Sequence, residues 1–120
     1  MTPPGPFEVD DAGLGDAPGV AVHGEVDING VEILVTTLEQ AIIESVGAFV
    51  IDLTDVGFLD SSGLAVLMRA RALLGREDRA LAVVCPVGPA RRTFEVSGCA
   101  ELFNLYDSRD EAIAALVPGS

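Results

Sequence analysis

The sequence predicts an α/β domain in which a mixed, mostly parallel sheet of four to five strands is covered by about four helices. Short apolar runs typical of buried strands alternate with segments whose apolar residues recur at helical spacing. Glycines and prolines separate these segments at short intervals, and short right-handed connections favour parallel neighbours in the sheet. A chain of 120 residues can bury one hydrophobic core, so we expect a single domain.

The N-terminal part, residues 1–19, is expected to add an edge strand and a flexible loop to the main body formed by residues 20–120. Phe7–Val9 has the composition of a short edge strand, which we expect to pair antiparallel. The glycines, proline and acids of Asp10–Gly19 indicate a turn or a mobile loop.

The segment that follows the first main strand, Val20–Asp27, allows two interpretations. Asn29-Gly30 is a strong hairpin signal, yet the apolar residues that follow it recur at three- and four-residue intervals. Asn29 and Glu32 also have the spacing of a capping box. We therefore predict an amphipathic helix from about Gly30 to Ser45.

The rest of the chain continues the alternation of strands and helices. Apolar runs predict the strands and helical spacing predicts the helices, with Gly75 and Gly98 ending two of the helices. Ser108, or alternatively Asp107, is expected to cap the last helix. The predicted elements are strand Ala48–Leu53, helix Ser61–Leu74, strand Leu81–Pro86, helix Pro89–Val96, strand Leu102–Tyr106 and helix Arg109–Leu116.

The charge of the chain is strongly negative and unevenly distributed. The chain contains nineteen acidic residues and seven arginines, which gives a net charge of −12, and no arginine or lysine precedes Arg69. Binding to a nucleic-acid backbone requires clustered cations, so we expect no direct nucleic-acid partner. A protein with a basic face is a better match, although many of the acids would serve solubility alone.

The sequence offers little that indicates an enzyme, a cofactor or a metal. His23 is far along the chain from the serines, and two cysteines with one histidine at wide spacing do not make a zinc site. Cys85 is expected to pack in the core. Asp52, Asp55 and Asp60 could form the carboxylate cluster of a phosphate receiver, but such a site also needs a lysine and the chain has none. We interpret Asp52 as a strand-end residue and Asp55 as a turn residue.

No apolar stretch is long enough to cross a bilayer, and the first residues lack the basic and apolar regions of a secretory signal. We therefore expect a cytoplasmic protein that is not bound to a membrane and is monomeric when free.

The segment Phe58–Leu64 is the most informative part of the chain. A buried strand precedes it and a helix follows, so Ser61 and Ser62 fall in the first turn of that helix. The free backbone N–H groups and the positive end of the helix dipole tolerate added negative charge there. The segment can be a phosphoserine switch, or Asp60 can simply cap a helix with passive serines behind it.

The same residues resemble the STAS domains of anti-sigma factor antagonists, whose signature is an Asp-Ser-Ser/Thr-Gly-Leu segment. Further similarity extends over nearly the whole chain after about residue 20, with the motifs in the family's order. The matching segments are Gly24–Asp27, Ala48–Val56, Phe58–Leu64 and Phe94–Gly98.

The resemblance implies a single STAS-like domain that is not an enzyme and works in a partner-switching circuit. In that circuit the unphosphorylated antagonist binds an anti-sigma factor and thereby frees a sigma factor. The anti-sigma factor is also a serine kinase that phosphorylates the antagonist, and a serine phosphatase resets it. By this resemblance the phosphorylated residue is Ser61, and the expected partner-binding residues are Glu25, Asp27, Asp60, Ser62 and Gly63.

The chain departs from the family pattern at Ile28–Gly30, where relatives begin the helix more directly, and at Ala65, where many relatives have glycine. Two other functions remain open at this stage. A STAS regulatory subunit of a lipid or anion transporter would need a transporter partner instead of a kinase, and the intact Asp60–Gly63 segment favours the kinase circuit. An autonomous nucleotide-binding module would need a phosphate-binding glycine loop, for which the helix start is the sole candidate.

Overall fold

The computed structural model describes residues 7–11 and 17–116, with the backbone alone for the first of these ranges. Within them, five strands and four α-helices alternate after an initial pair of strands, as the sequence predicts. The elements are β1 Phe7–Asp11, β2 Gly19–Val26, α1 Val31–Ile43, β3 Phe49–Leu59, α2 Ser61–Arg76, β4 Leu81–Val84, α3 Pro89–Val96, β5 Leu105–Tyr106 and α4 Arg109–Leu116, with a short 3₁₀-helix at Ala100–Leu102.

The five strands form one sheet in the order β1-β2-β3-β4-β5. β1 pairs antiparallel with β2 at the edge, and all the other neighbours are parallel. The mixed, mostly parallel sheet and the antiparallel edge strand are therefore confirmed. Asp10 and Asp11 belong to β1 and not to the predicted loop, and the rest of that loop up to residue 16 lies outside the described residues.

The two faces of the sheet carry different layers of helices. Alternate side chains of a strand point to opposite faces, so Phe49 and Ile51 of β3 join the large core beneath α1, α2 and α3. Val50, between them, joins a smaller core beneath α4, where Ala112 is fully buried. Among the described residues no helix is long and apolar enough to cross a bilayer.

Helix α1 confirms the helical interpretation of the segment after β2, but its predicted capping box is wrong. Gly30 occupies the N-cap position and no side chain caps the helix. The Asn29 backbone N–H instead donates to Asp27 Oδ1 at 2.9 Å. The turn between β2 and α1 is therefore organised by Asp27, the residue that follows β2, and not by a side-chain cap on the helix.

Strand β3 is longer than its apolar run predicts. It continues to Leu59, so Asp55 lies within the strand and not in a turn. Pairing with β2 extends it, because Gly24 and Val26 lie opposite Val56 and Leu59. Backbone hydrogen bonds of this kind do not depend on the apolar pattern, which is why the sequence does not reveal them.

Three other boundaries differ from the prediction. Helix α2 continues through Gly75 to Arg76, since a glycine in a last turn costs little where tertiary contacts hold the helix. Strand β4 ends at Val84, ahead of Cys85 and Pro86. The last strand is confined to Leu105–Tyr106, and the residues before it form the 3₁₀-helix. Two predicted helix boundaries are confirmed. Gly98 follows the C-terminus of α3 with a positive φ of 77°. Ser108 caps the N-terminus of α4, where its Oγ accepts from the Glu111 N–H at 3.2 Å.

Candidate functional site

The predicted site lies where the parallel strands β2 and β3 end side by side. Val26 and Leu59 are opposite each other in the register, and the Asp60 N–H donates to the Val26 carbonyl oxygen at 3.1 Å. Asp27 and Asp60 are the next residues of the two strands. Two acids that are distant in sequence therefore meet at one edge of the sheet, at the start of α2.

Asp60 is the N-cap of α2, as predicted. Its Oδ1 accepts hydrogen bonds from the Ser62 hydroxyl at 2.5 Å, the Ser62 N–H at 2.9 Å and the Gly63 N–H at 3.1 Å. The pKa of Asp60 is held below its usual value mainly by the hydrogen bond from the Ser62 hydroxyl, and also by the N–H groups of Gly63, Ser62 and Ile28. Together these hydrogen bonds outweigh the effect of partial desolvation, which alone would raise the pKa. Asp60 is therefore an anion at neutral pH and fixes the first turn of the helix.

The two serines have different environments. The Ser62 hydroxyl is committed to Asp60, and its residue is half-buried. Ser61 is exposed, and its hydroxyl has no hydrogen-bond partner in the part of the chain that the structure describes. Of the two serines, Ser61 is thus the one whose hydroxyl oxygen is exposed to solvent and uncommitted.

Gly63 allows the first turn of α2 to lie directly on the sheet. A Cβ atom at this position would be 2.6 Å from Leu59 Cδ1 and 2.7 Å from Val26 Cγ1, distances that real side chains do not tolerate. Because Gly63 is buried, its contribution is to the geometry of the turn that presents Ser61.

The remaining predicted residues flank the serine on the β2 side. Glu25 is exposed and lies opposite Phe58 in the register, and Asp27 is half-buried. Ile28, the next residue along, is strongly exposed. The surface next to Ser61 therefore combines negative charge with accessible apolar side chains.

A groove of about 530 Å³ separates the end of β3 and the start of α2 from helix α3. Ser61 and Phe58 lie on one side of it, and Phe58 is 45% exposed. Arg92 and Val96 lie on the α3 side, where Val96 is 81% exposed. This side of the site has no signal in the sequence, because no residue pattern within α3 indicates that the helix packs beside Ser61.

A single hydrogen bond ties α3 to the serine-bearing turn. Thr93 Oγ1 donates to the Leu59 carbonyl oxygen at 2.6 Å, two residues before Ser61. Phe94, the next residue of α3, is fully buried in the main core. The position of α3 relative to Ser61 is therefore set by both a core anchor and a polar contact.

Comparisons with known proteins agree with this architecture. The model of one family, described as "Mlab, STAS domain", matches residues 9–106, most of the chain. The chain belongs to the STAS-domain family.

Relatives of this STAS domain are named as regulatory antagonists. The anti-sigma-F factor antagonist RsfB of Mycobacterium tuberculosis is 28% identical over 109 residues, which are 88% of each protein. The anti-sigma F factor antagonist of Paenibacillus polymyxa is 26% identical over 98 residues, 81% of this chain and 84% of that protein. The crystal structure of an anti-sigma factor antagonist from Mycobacterium paratuberculosis superposes with a TM-score of 0.86 at 29% identity, covering 97% of this chain and 98% of that one.

The three carboxylates considered as a receiver-like cluster are separated in this STAS domain. Asp52, only 3% exposed, is held by Thr54 and Arg109 on the α4 side of the sheet. Asp55 contacts His23 Nδ1 at 3.0 Å on the neighbouring strand. Asp60 caps α2, so these three acids have three separate structural roles.

The cysteine predicted for the core of the STAS domain is there. Cys85 is fully buried, and burial raises the pKa of its thiol to about 11. The thiolate is the reactive form of a cysteine, so little of Cys85 is in that form at neutral pH.

Proposed function

We propose that this chain is an anti-sigma factor antagonist switched by phosphorylation of Ser61. In the unphosphorylated state it binds an anti-sigma factor and so releases a sigma factor. That anti-sigma factor is also the kinase: the γ-phosphoryl group of ATP passes to Ser61 Oγ, the hydroxyl proton is lost and ADP leaves. A serine phosphatase hydrolyses the phosphate and resets the protein.

The observation that carries the proposal is the contrast between the two serines at the start of α2. Ser61 presents an exposed hydroxyl on a helix N-terminus, while Ser62 is bound to the capping carboxylate. The names of the relatives support the antagonist role, because this chain is similar to those proteins over most of their length.

The surface proposed for the partner is built around Ser61. Glu25, Asp27 and Asp60 supply negative charge, and Ser62 supports Asp60 through its hydroxyl. Gly63 takes part by allowing the close approach of the turn to the sheet. Such a surface suits a protein whose docking face carries cations around an apolar centre.

Phosphorylation is expected to act on the complex and to leave the fold intact. A phosphate adds about −1.5 to −2 charges at neutral pH. The positive end of the α2 dipole tolerates that charge at an exposed position in the free protein. In a complex the dianion would be buried next to Asp60, and burying an incompletely paired charge costs more than a typical contact contributes. The partner is therefore released.

The test is labelling by the cognate kinase. The anti-sigma factor is captured from the source cells with the unphosphorylated protein, then incubated with ATP and each variant. Ser61→Ala should abolish the incorporation of phosphate and Ser62→Ala should retain it, with both variants folded by circular dichroism. Labelling that persists in Ser61→Ala and disappears in Ser62→Ala would reverse the assignment. Recovery of a transporter permease instead of a kinase would favour the transporter-regulator role.

A further inference from the structure

Arg92 is the cation that the fold brings to the groove beside Ser61. It lies on α3, is exposed, and lines the groove opposite the serine. Its neighbour Arg91 is already bound to Asp107 at 2.7 Å. Within residues 17–116, by contrast, Arg92 has no carboxylate within ion-pair distance, and Glu95, one turn along α3, does not pair with it.

The position of Arg92 is determined by the residues that follow it. The Thr93 hydroxyl is bonded to the Leu59 carbonyl, and Phe94 is fixed in the core. Arg92 therefore lies on a well-anchored helix, and the residue next to it, Thr93, contacts the turn that bears Ser61. Its long side chain is free to reorient, because no polar contact restrains it in the described part of the chain.

We propose that Arg92 forms an intramolecular ion pair with phosphorylated Ser61 across this groove. The inference rests on the proposed phosphorylation of Ser61. A guanidinium group presents two parallel N–H donors to phosphate oxygens, and such charge-assisted pairs are stronger than neutral hydrogen bonds. The other charged group of the groove, Asp60, repels the phosphate and so favours its displacement toward Arg92.

The ion pair gives phosphorylation a second effect on partner binding. An arginine that reaches across the groove lies over Phe58 and Val96, the exposed apolar side chains on its two sides. A partner that inserts an apolar residue there must first break the pair. Phosphorylation would thus cover part of the docking surface as well as add charge to it.

The experiment measures the pKa of the phosphate by ³¹P NMR in protein carrying phosphoserine at position 61, introduced during translation. The free monoester has a second pKa of about 6. A paired cation favours the dianion, so we expect this pKa to rise by about half a unit in Arg92→Gln relative to the unsubstituted arginine. Added salt should reduce the difference in phosphate pKa between the protein with Arg92 and Arg92→Gln, because it screens the proposed pair.

The matched control is Arg76→Gln, which removes an exposed arginine from the far end of α2. It should leave the phosphate pKa unchanged. Equal values with and without Arg92, or an equal shift from Arg76→Gln, would overturn the proposal. Arg92→Lys, which retains the charge, should keep part of the effect and serves if the glutamine variant folds poorly. The titration needs neither the kinase nor the anti-sigma factor. A negative titration would therefore overturn the ion pair without affecting the proposed partner-switching function. Conversely, evidence against partner switching would not change the measured phosphate pKa.

Discussion

The absence of a side chain at Gly63 allows the serine-bearing turn to lie against the sheet. The nearest side chains, Val26 and Leu59, end the neighbouring strands β2 and β3 and are almost fully buried. Both side chains are packed in the main core, so a shift of either one disturbs its neighbours there. The glycine of the Asp-Ser-Ser-Gly segment is therefore explained by packing, independently of any partner.

Gly63→Ala should destabilise the protein by about 1–3 kcal/mol, because the added methyl group overpacks the contact between α2 and the strands. Gly75→Ala is the matched control on the same helix, where a Cβ meets nothing within 4 Å. It should be neutral or stabilise by about 0.5 kcal/mol, since alanine is the better helix former. Urea denaturation measures both, and an equally stable Gly63→Ala variant would contradict the packing argument.

Asp52 is the buried charge of the molecule's second core. Burial alone would raise its pKa, but the hydrogen bonds from the Thr54 hydroxyl and N–H, together with Arg109, lower it below the usual value. A carboxyl group with a lowered pKa in the folded state stabilises that state at higher pH. This contribution is lost as the pH falls through the folded pKa.

Asp52→Asn should therefore destabilise the protein by about 1–3 kcal/mol at neutral pH, because Arg109 and Thr54 lose their charged acceptor. The difference from the unsubstituted protein should shrink below about pH 4, where the aspartate of the unfolded chain begins to be protonated, and should vanish as the pH falls through the lower pKa of the folded state. Denaturation curves at several pH values test this, with the exposed Glu101→Gln as the control. A difference that stays constant down to pH 2 would show that the charge of Asp52 does not matter.

At the scale of elements, one arginine joins the end of α1 to the loop after α2. The Arg79 side chain is 7% exposed and donates to the Gly47 carbonyl at 2.7 Å, the Ile42 carbonyl at 2.8 Å and Ser45 Oγ at 2.8 Å. One of these acceptors, the Ile42 carbonyl, belongs to the last turn of α1, where carbonyls lack the N–H partner that a continuing helix would supply. Arg79 thus satisfies the end of α1 and the turn into β3 at once.

Arg79→Lys should lower the free energy of unfolding by about 1–3 kcal/mol, although the charge is kept, because a lysine cannot reproduce the planar fork of donors. Arg76→Lys, at an exposed position nearby, should have no measurable effect. Thermal and urea unfolding of the pair provide the comparison. Equal stability of the two variants would mean that charge alone, and not the hydrogen-bond geometry, holds this junction.

At the scale of the whole molecule, the fold concentrates negative charge next to the proposed partner surface. The net charge is −12, and Glu25, Asp27 and Asp60 follow one another around the ends of β2 and β3. Charges of this kind accelerate the encounter with an oppositely charged surface. At 0.1 M salt their interaction is largely screened at separations beyond about 10 Å.

Association with the captured anti-sigma factor should therefore slow as salt is raised. Asp27→Asn should reduce the affinity by about two- to fivefold, the scale of one charge near the surface. Glu44→Gln should change it little, because that exposed acid lies at the opposite end of α1. Stopped-flow kinetics at several salt concentrations measure the rates. Rates that do not depend on salt would assign the acidic residues to solubility alone.

The sequence by itself determined the alternation of strands and helices, the capping role of Asp60 and the place of Ser61 in the first turn of α2. These features depend on residues close together in the chain, through apolar periodicity and the preferences of a helix N-terminus. The prediction that Ser61 and not Ser62 is phosphorylated comes from the family motif. The structure adds a physical difference between the two serines, because the Ser62 hydroxyl donates to Asp60.

Only the tertiary structure decided which distant residues share the site. The full length of β3 depends on its pairing with β2, the environment of Asp52 depends on Arg109, and the groove beside Ser61 depends on the docking of α3. Each of these contacts joins residues that no local pattern relates, and the energy that fixes them comes from the burial of a common core. Arg92 therefore carries no signal in the sequence, although the fold brings it to the groove beside Ser61.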